Sequence, residues 1–183
     1  MDLTPILISI ATIALSGVVS ALVTYKLNLR KDQDIFMRQK AEELYRSFDL
    51  YSHDLGMYFF HYFLLLKGLV DYNQHLDEEI KRGKEAKNTK NALSEVELLT
   101  GIYFPALDEH LKNYFAVRTE LHNFLRLHKE AYKADSITDT KTEWSDPFSK
   151  RLPRLEAAEE VFKKSIVAEA QKYRLATKTR ALS

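Results

Sequence analysis

Histidine, aspartate and glutamate are the residues of this sequence that could hold a metal ion. Asp71, His75 and Glu78 fall within two turns on one face of a predicted helix and could hold a divalent cation. They lie near the predicted end of that helix, beside a basic segment, which is typical of a solvated acidic surface. The Glu-x-x-His spacing of di-iron bundles does not occur in the sequence, and His53-Asp54 is a lone pair. We therefore expect no metal site and no cofactor.

A second candidate for chemistry is the pair Arg46 and His53, which are seven residues apart. This stretch resembles the Arg-x(4–6)-His motif of the HEPN ribonucleases, which are all-α domains. The resemblance covers eight residues and implies His53 as the acid/base and Arg46 as the group that stabilises phosphate. An interhelical or surface pair is the other interpretation of these two residues.

Further catalytic signatures are missing from the sequence. There is no glycine-rich phosphate loop, no G-x-S-x-G motif and no cysteine nucleophile. The sequence therefore does not indicate an enzyme, and we assign no catalytic residue. The absence of cysteine is compatible with a reducing compartment.

The composition indicates helices. Glycine and proline number five and four in 183 residues, and the apolar/polar alternation of strands is missing. The 27 basic and 26 acidic residues nearly cancel, so no overall field favours nucleic acid. We predict an all-α protein.

The N-terminal segment is the longest apolar run. Pro5 to Tyr25 contains no charged residue, and about 20 apolar residues span a bilayer as a helix. Thr4 and Pro5 suit the N-cap and first position of a helix. A cleaved signal peptide is the alternative, with Val19-Ser20-Ala21 as a poor cleavage site, but no lysine or arginine precedes the run. We predict a transmembrane anchor over residues 1–27.

Basic residues follow this anchor at once. Lys26, Arg30 and Lys31 come directly after it, whereas only Asp2 precedes it. The positive-inside rule then puts the N-terminus outside and residues 28–183 in the cytoplasm, at the plasma (inner) membrane. We expect the three basic residues to contact anionic lipid headgroups.

One face of the predicted anchor carries small and hydroxylated residues. These are Thr12, Ser16, Gly17, Ser20, Ala21 and Thr24. Such residues let membrane helices approach closely and hydrogen-bond to one another. The alternative is that the hydroxyls bond to their own helix backbone.

The segment from Asn28 to Arg82 keeps a heptad and predicts a long packed helix. One apolar column runs through Met37, Leu44, Tyr51, Tyr58, Leu65 and Tyr72, and the other through Ala41, Phe48, Leu55, Tyr62, Leu69 and Leu76. Between Met57 and Leu66 the helix is apolar on every side, which favours burial inside a bundle. Insertion of Met57–Leu66 into the membrane is the alternative.

The rest of the chain predicts two further helices. A polar loop is expected over Lys81–Ala92, followed by a capping box at Ser94 and a break at Pro105. A second loop is expected over Asp135–Pro153, before a last helix. The fold prediction is a transmembrane helix followed by an antiparallel bundle of about three long helices.

Basic residues recur along the third predicted helix, among them Arg118, His122 and Lys129. Interleaved acids such as Glu120 and Glu130 indicate an ordinary solvated face and argue against a nucleic-acid groove.

These patterns favour a single-pass membrane protein that acts by protein–protein interaction, as a scaffold, sensor or accessory subunit. Its expected partners are the lipid bilayer and either further copies of itself or another membrane or cytoplasmic protein. A membrane-tethered HEPN-like ribonuclease and a membrane-disrupting oligomeric effector are the alternatives.

Overall fold

The computed structural model describes residues 4–85, 87–137 and 140–178, without the side chains of residues 4–18, 84–85, 87–89 and 174–178. Across these residues the regular structure consists of five α-helices and no strand. The predicted all-α class is therefore confirmed. The predicted number of long helices is wrong, because the chain breaks at places where the apolar pattern continues.

The five helices of the described ranges are α1 (Thr4–Leu66), α2 (Tyr72–Glu85), α3 (Lys87–Tyr103), α4 (Asp108–Lys133) and α5 (Asp146–Lys178). A 3₁₀ turn over Pro105–Leu107 precedes α4, and a π-helical turn over Lys141–Ser145 precedes α5. The chain divides into two compact units. One is Lys40–Ala170, and the other comprises Met1–Gln39 and Gln171–Ser183.

Helix α1 ends at a glycine C-cap, which divides the helix predicted from Asn28 to Arg82. Gly68 has a φ of +68°, its N–H donates to the Leu65 carbonyl, and the Leu69 N–H donates to the Leu64 carbonyl. This is the Schellman arrangement, in which a residue without Cβ takes the left-handed conformation. The next helix starts at once, so a continuous heptad conceals two helices.

The start of α2 is fixed by a reciprocal cap. The Gln74 N–H donates to the Asp71 carboxylate over 2.8 Å, and the Asp71 N–H donates to the Gln74 side-chain oxygen over 3.0 Å. Both bonds satisfy N–H groups that lack partners within the helix. Asp71 therefore caps the start of α2.

The predicted loop over Lys81–Ala92 is wrong, because α2 extends to Glu85 and α3 begins at Lys87. Lysine, arginine and glutamate are good helix formers, so a polar composition does not by itself exclude a solvated helix. Ser94 lies inside α3 and not at its start. The predicted break at Pro105 is confirmed, since α3 ends at Tyr103. The predicted second loop is shorter than expected, and α5 contains Pro153.

Contacts between helices fix the directions of the described segments of the unit Lys40–Ala170. Helix α1 is antiparallel to α2 and α3, as shown by the pairs Tyr62–His75, Asp54–Arg82 and Ser47–Glu95. Helices α2 and α3 thus pack one after the other along α1, and together they occupy one position of the bundle. Helix α4 runs parallel to α1 (Phe48–Tyr114, Tyr62–His128), and α5 runs antiparallel to it (Phe59–Phe148, Ser52–Glu159). The described segments form an up-down-up-down four-helix bundle, in which α2 and α3 together count as one helix.

The predicted heptad packs the core of this bundle as far as the end of α1. Ala41, Leu44, Phe48, Tyr51, Leu55 and Tyr62 are buried. Beyond the break the pattern fails, and Leu69 and Leu76 are exposed. In the segment Met57–Leu66, Phe59 and Tyr62 are buried whereas Phe60 is 50% exposed. This segment is therefore buried on one face and not on every side.

Candidate functional site

A cleft of about 350 Å³ lies between α1, α2 and α4. It is lined by Tyr51, Asp54, Leu55 and Tyr58 of α1, by Glu79, Arg82 and Gly83 of α2, and by His122 of α4. Its volume falls in the range of small-molecule sites, and its walls combine aromatic rings with a few charged groups.

Glu79 is the charged centre of this region. Its carboxylate accepts two hydrogen bonds from Lys129 Nζ, at 2.8 and 3.2 Å, and lies 3.5 Å from Nε2 of His75. Its side chain is 23% exposed. His75 and Lys129 together lower the pKa of Glu79 from 4.5 to about 2, against the opposing effect of burial. Glu79 is therefore a fixed negative charge that joins α2 to α4.

Behind Glu79, a polar layer crosses the bundle. His75 and His128 are 2% and 3% exposed and both pack against the Tyr62 ring, at centroid distances of 4.6 and 5.8 Å. The Tyr62 hydroxyl is 3.4 Å from Nδ1 of His128, and Trp144 meets the His128 ring edge to face. Burial is the main cause that lowers the pKa of His128, and the charge of Lys129 acts in the same direction. Burying the charged imidazolium here is unfavourable, so the layer is most stable with neutral His128.

Two arginines contact residues of the cleft, and of these Arg82 lines it. Arg82 lies 3.8 Å from the Asp54 carboxylate and donates to the Asp54 carbonyl oxygen over 3.4 Å. Arg118 donates to the Tyr51 hydroxyl and stacks on the Phe115 ring. The Nε atoms of both arginines are buried and have no hydrogen-bond partner among the described residues.

His122 forms the α4 wall of the cleft. It is exposed at the surface, but its ring packs 5.5 Å from the Tyr58 ring and 5.2 Å from the Phe59 ring. Desolvation is the main cause that lowers the pKa of His122, and the charges of Arg118 and Lys129 act in the same direction. The α4 wall of the cleft is therefore an aromatic surface that disfavours the charged imidazolium.

The sequence pattern did not identify this cleft. Arg118, His122 and Lys129 were expected on a solvated outer face of the third helix, and for Arg118 and Lys129 that expectation is wrong, because both contact α1 or α2. A usable signal was their alternation with Leu121 and Leu125, which places them beside the apolar stripe of α4.

No three His, Asp or Glu side chains of the described residues come together in a way that could hold a metal ion. His75 is buried against Tyr62 and Glu79, away from the solvated face on which it was expected with Asp71 and Glu78.

Arg46 and His53 are both exposed on α1. Seven residues apart, they lie about 10 Å from each other along the helix axis. Arg46 lines a shallow depression of about 310 Å³ with Ser47, Leu50, Asn91, Ala92 and Glu95, a set that does not include His53. The ribonuclease alternative stays a prediction.

For the predicted membrane face, the side chains of Thr12, Ser16 and Gly17 lie outside the described residues. Ser20, Ala21 and Thr24 are exposed. The Thr24 hydroxyl donates to the Ser20 carbonyl over 2.9 Å, which is the bond to its own helix that the sequence left as an alternative. Lys26, Arg30 and Lys31 are exposed. The membrane-disrupting alternative also stays a prediction.

Among the described residues, no helix is both long enough and apolar enough to cross a bilayer.

The outer face of α1 in the bundle carries an apolar seam, formed by Leu50, Met57 and Phe60. They are 48%, 37% and 50% exposed. Their spacing of seven and three residues aligns them on one side of the helix. A helix can therefore approach α1 along this seam.

Comparison with known proteins gives no relative: no family model, no curated protein and no solved structure matches the chain.

Proposed function

We propose that this protein is attached to the plasma (inner) membrane by its N-terminal helix and acts there by binding another protein. The observation that carries the proposal is the exposure of large apolar side chains along α1 before the bundle. Val19, Leu22, Val23, Tyr25, Leu27 and Leu29 are between 49% and 61% exposed. They cover a broad face of the helix, centred opposite Ser20 and Thr24, and an apolar surface of this kind is normally covered by protein or lipid.

Lipid is the cover that the sequence around these residues favours. The uncharged run from Pro5 continues into them, and Tyr25 and Lys26 follow as an aromatic and a basic residue typical of a membrane interface. Arg30 and Lys31 come one turn later and suit anionic headgroups. Under this proposal the N-terminus lies outside and the bundle Lys40–Ala170 lies in the cytoplasm.

The apolar seam supports the second half of the proposal. Leu50, Met57 and Phe60 leave apolar surface on the longest helix, where association would bury it. The partner is then another membrane or cytoplasmic protein or a second copy of the chain, and the bundle serves as a scaffold, sensor or accessory subunit.

The test is purification of the tagged full chain from native membranes in mild detergent, followed by light-scattering mass and identification of retained proteins. We expect a complex of fixed stoichiometry, either with another protein or between copies of this chain. Phe60→Glu should dissociate this complex. Leu127→Glu is the matched control, because Leu127 is 49% exposed on α4 and outside the seam. A monomer that retains nothing, or equal effects of the two variants, would contradict the proposal.

A further inference from the structure

Three other elements of the bundle meet α4 around His128, which is 3% exposed. Helix α1 brings the Tyr62 hydroxyl to 3.4 Å from Nδ1 of His128, and α2 packs the His75 ring against the same tyrosine. The π-helical turn over Lys141–Ser145 brings Trp144, whose ring lies edge to face with the His128 ring at a centroid distance of 5.0 Å. His128 is therefore a titratable side chain buried between separate parts of the fold.

The charged groups around His128 disfavour a proton on its ring. Lys129 is the next residue of α4, and its Nζ lies 5.6 Å from the centre of the Tyr62 ring. Glu79 faces the same layer from α2, but its carboxylate already accepts two hydrogen bonds from Lys129 and lies 3.5 Å from Nε2 of His75. A proton on His128 would thus add a buried positive charge, and the neighbour of Nδ1 is a neutral hydroxyl.

The turn over Lys141–Ser145 contains two polar atoms that the fold leaves without hydrogen bonds. Trp144 Nε1 and Ser145 Oγ are buried and have no partner among the described residues. The Trp144 ring packs against Phe124 and His128 of α4. Buried polar groups are almost always hydrogen-bonded in proteins, so exposure of this turn to water would supply partners that the closed packing lacks.

The elements beside this turn are held by ion pairs that do not involve His128. Glu79 joins α2 to Lys129 of α4, and Lys67, which follows α1, lies 3.8 Å from Asp146 at the start of α5. A charge on His128 can therefore be relieved by movement of the turn, while the helices on either side keep these pairs.

We propose that the turn over Lys141–Ser145 is an acid-sensitive switch, in which protonation of His128 displaces the Trp144 ring from α4 while the helices stay folded. His128 is the group that takes up the proton, and Trp144 is the side chain that moves. Opening gives water access to the imidazolium and uncovers part of Phe124. The inference goes beyond the proposed function and does not depend on membrane attachment, because every group in it belongs to the unit Lys40–Ala170.

The direction of the pH dependence follows from linkage. Burial is the main cause that lowers the pKa of His128 in the closed protein, and the charge of Lys129 acts in the same direction. A histidine in contact with water has a pKa of about 6.5. The closed turn is therefore favoured above about pH 6.5, and the open turn becomes more favourable as the pH falls below that value.

The experiment uses Trp144 as the reporter, because it is the sole tryptophan of the chain. The emission maximum and the acrylamide quenching of the full chain in mild detergent are measured from about pH 7.5 to about pH 5, with far-ultraviolet circular dichroism at each pH. We expect a reversible shift of the emission maximum to longer wavelength and at least a twofold increase in quenching by acrylamide, with unchanged helix content. Emission intensity is not the readout, because an imidazolium can quench a neighbouring indole directly.

Two histidine variants separate the switch from general effects of acid. His128→Phe should abolish the pH dependence of the emission maximum and of acrylamide quenching. His110→Phe is the matched control, because His110 is exposed on the same helix, and this variant should behave like wild type. If circular dichroism shows that His128→Phe does not fold, His128→Gln takes its place with the same expectation.

An emission maximum and acrylamide quenching that do not change with pH in the wild-type protein would overturn the inference. Equal pH dependence in wild type and in the folded His128 variant would also overturn it, because the proton would then act elsewhere. Loss of helix content together with the shift in emission would overturn it as well, since the change would report unfolding of the bundle and not opening of the turn.

Discussion

Replacing Glu79 by glutamine removes the one carboxylate that joins α2 to α4 through Lys129. The folded protein lowers the pKa of Glu79 from 4.5 to about 2. Each pKa unit corresponds to about 1.4 kcal/mol, so the ionised carboxylate contributes at most about 3 kcal/mol. The Glu79 side chain keeps some exposure, and glutamine can still accept a hydrogen bond. We therefore expect Glu79→Gln to lower the free energy of unfolding by about 2 kcal/mol at pH 7.

The pH dependence of this loss follows from the sign of the shift. The folded pKa lies below the unfolded one, so the stabilisation is complete above about pH 4.5 and is lost as the pH falls toward 2. At pH 3, the difference in free energy of unfolding between wild type and Glu79→Gln should be less than half of its value at pH 7. The assay is urea unfolding followed by far-ultraviolet circular dichroism at pH 7 and pH 3.

The matched control is Glu130→Gln on the exposed side of α4. Glu130 pairs with Arg126 four residues earlier, and both side chains are more than half exposed. Such pairs contribute about 0.5 kcal/mol or less. Equal losses for Glu79→Gln and Glu130→Gln, or a loss at Glu79 that does not shrink at pH 3, would refute the role given to Glu79.

Three further predictions concern single residues. Gly68→Ala should destabilise the protein by about 1–2 kcal/mol, since its φ of +68° disfavours a Cβ, whereas Gly56→Ala, in open space within α1, should not lower the melting temperature; equal melting temperatures would exclude the C-cap role. Because burial lowers the pKa of His128, the wild-type protein should lose stability as the pH falls below about 6.5, and His128→Phe should lose less; equal pH dependence of unfolding in the two proteins would contradict this. His53→Ala should leave the RNA-cleaving activity of the purified chain indistinguishable from wild type, and metal-independent cleavage that this change abolishes would favour the ribonuclease alternative.

The fold was predictable where one helix face repeats locally. Phe48, Leu55 and Tyr62 follow a heptad, and burial of that face needs no knowledge of the partner helices. The end of α1 has a signal in the sequence, since Gly68 precedes a possible cap at Asp71, but the apolar columns continue past it and do not show the break. The segment after Lys81 could not be decided, since a polar composition suits a loop and a solvated helix equally.

The cleft could not be predicted from the sequence. Its groups lie far apart in the chain: Asp54, Arg82 and His122 come from three helices. Their meeting depends on where α1 ends and on how α2 and α4 align, and no local spacing contains that information. The sequence marked Arg46 and His53 instead, because motif searches find residues that are close in the chain.

The central claim is membrane attachment through the N-terminal helix, and the most direct measurement is alkaline extraction of membranes from cells that express the full chain. The chain should stay in the membrane pellet, the paired change Leu22→Glu and Val23→Glu should release it, and Leu98→Glu with Ile102→Glu on α3 should not. Recovery of the unmodified chain in the alkaline supernatant would contradict attachment by this helix.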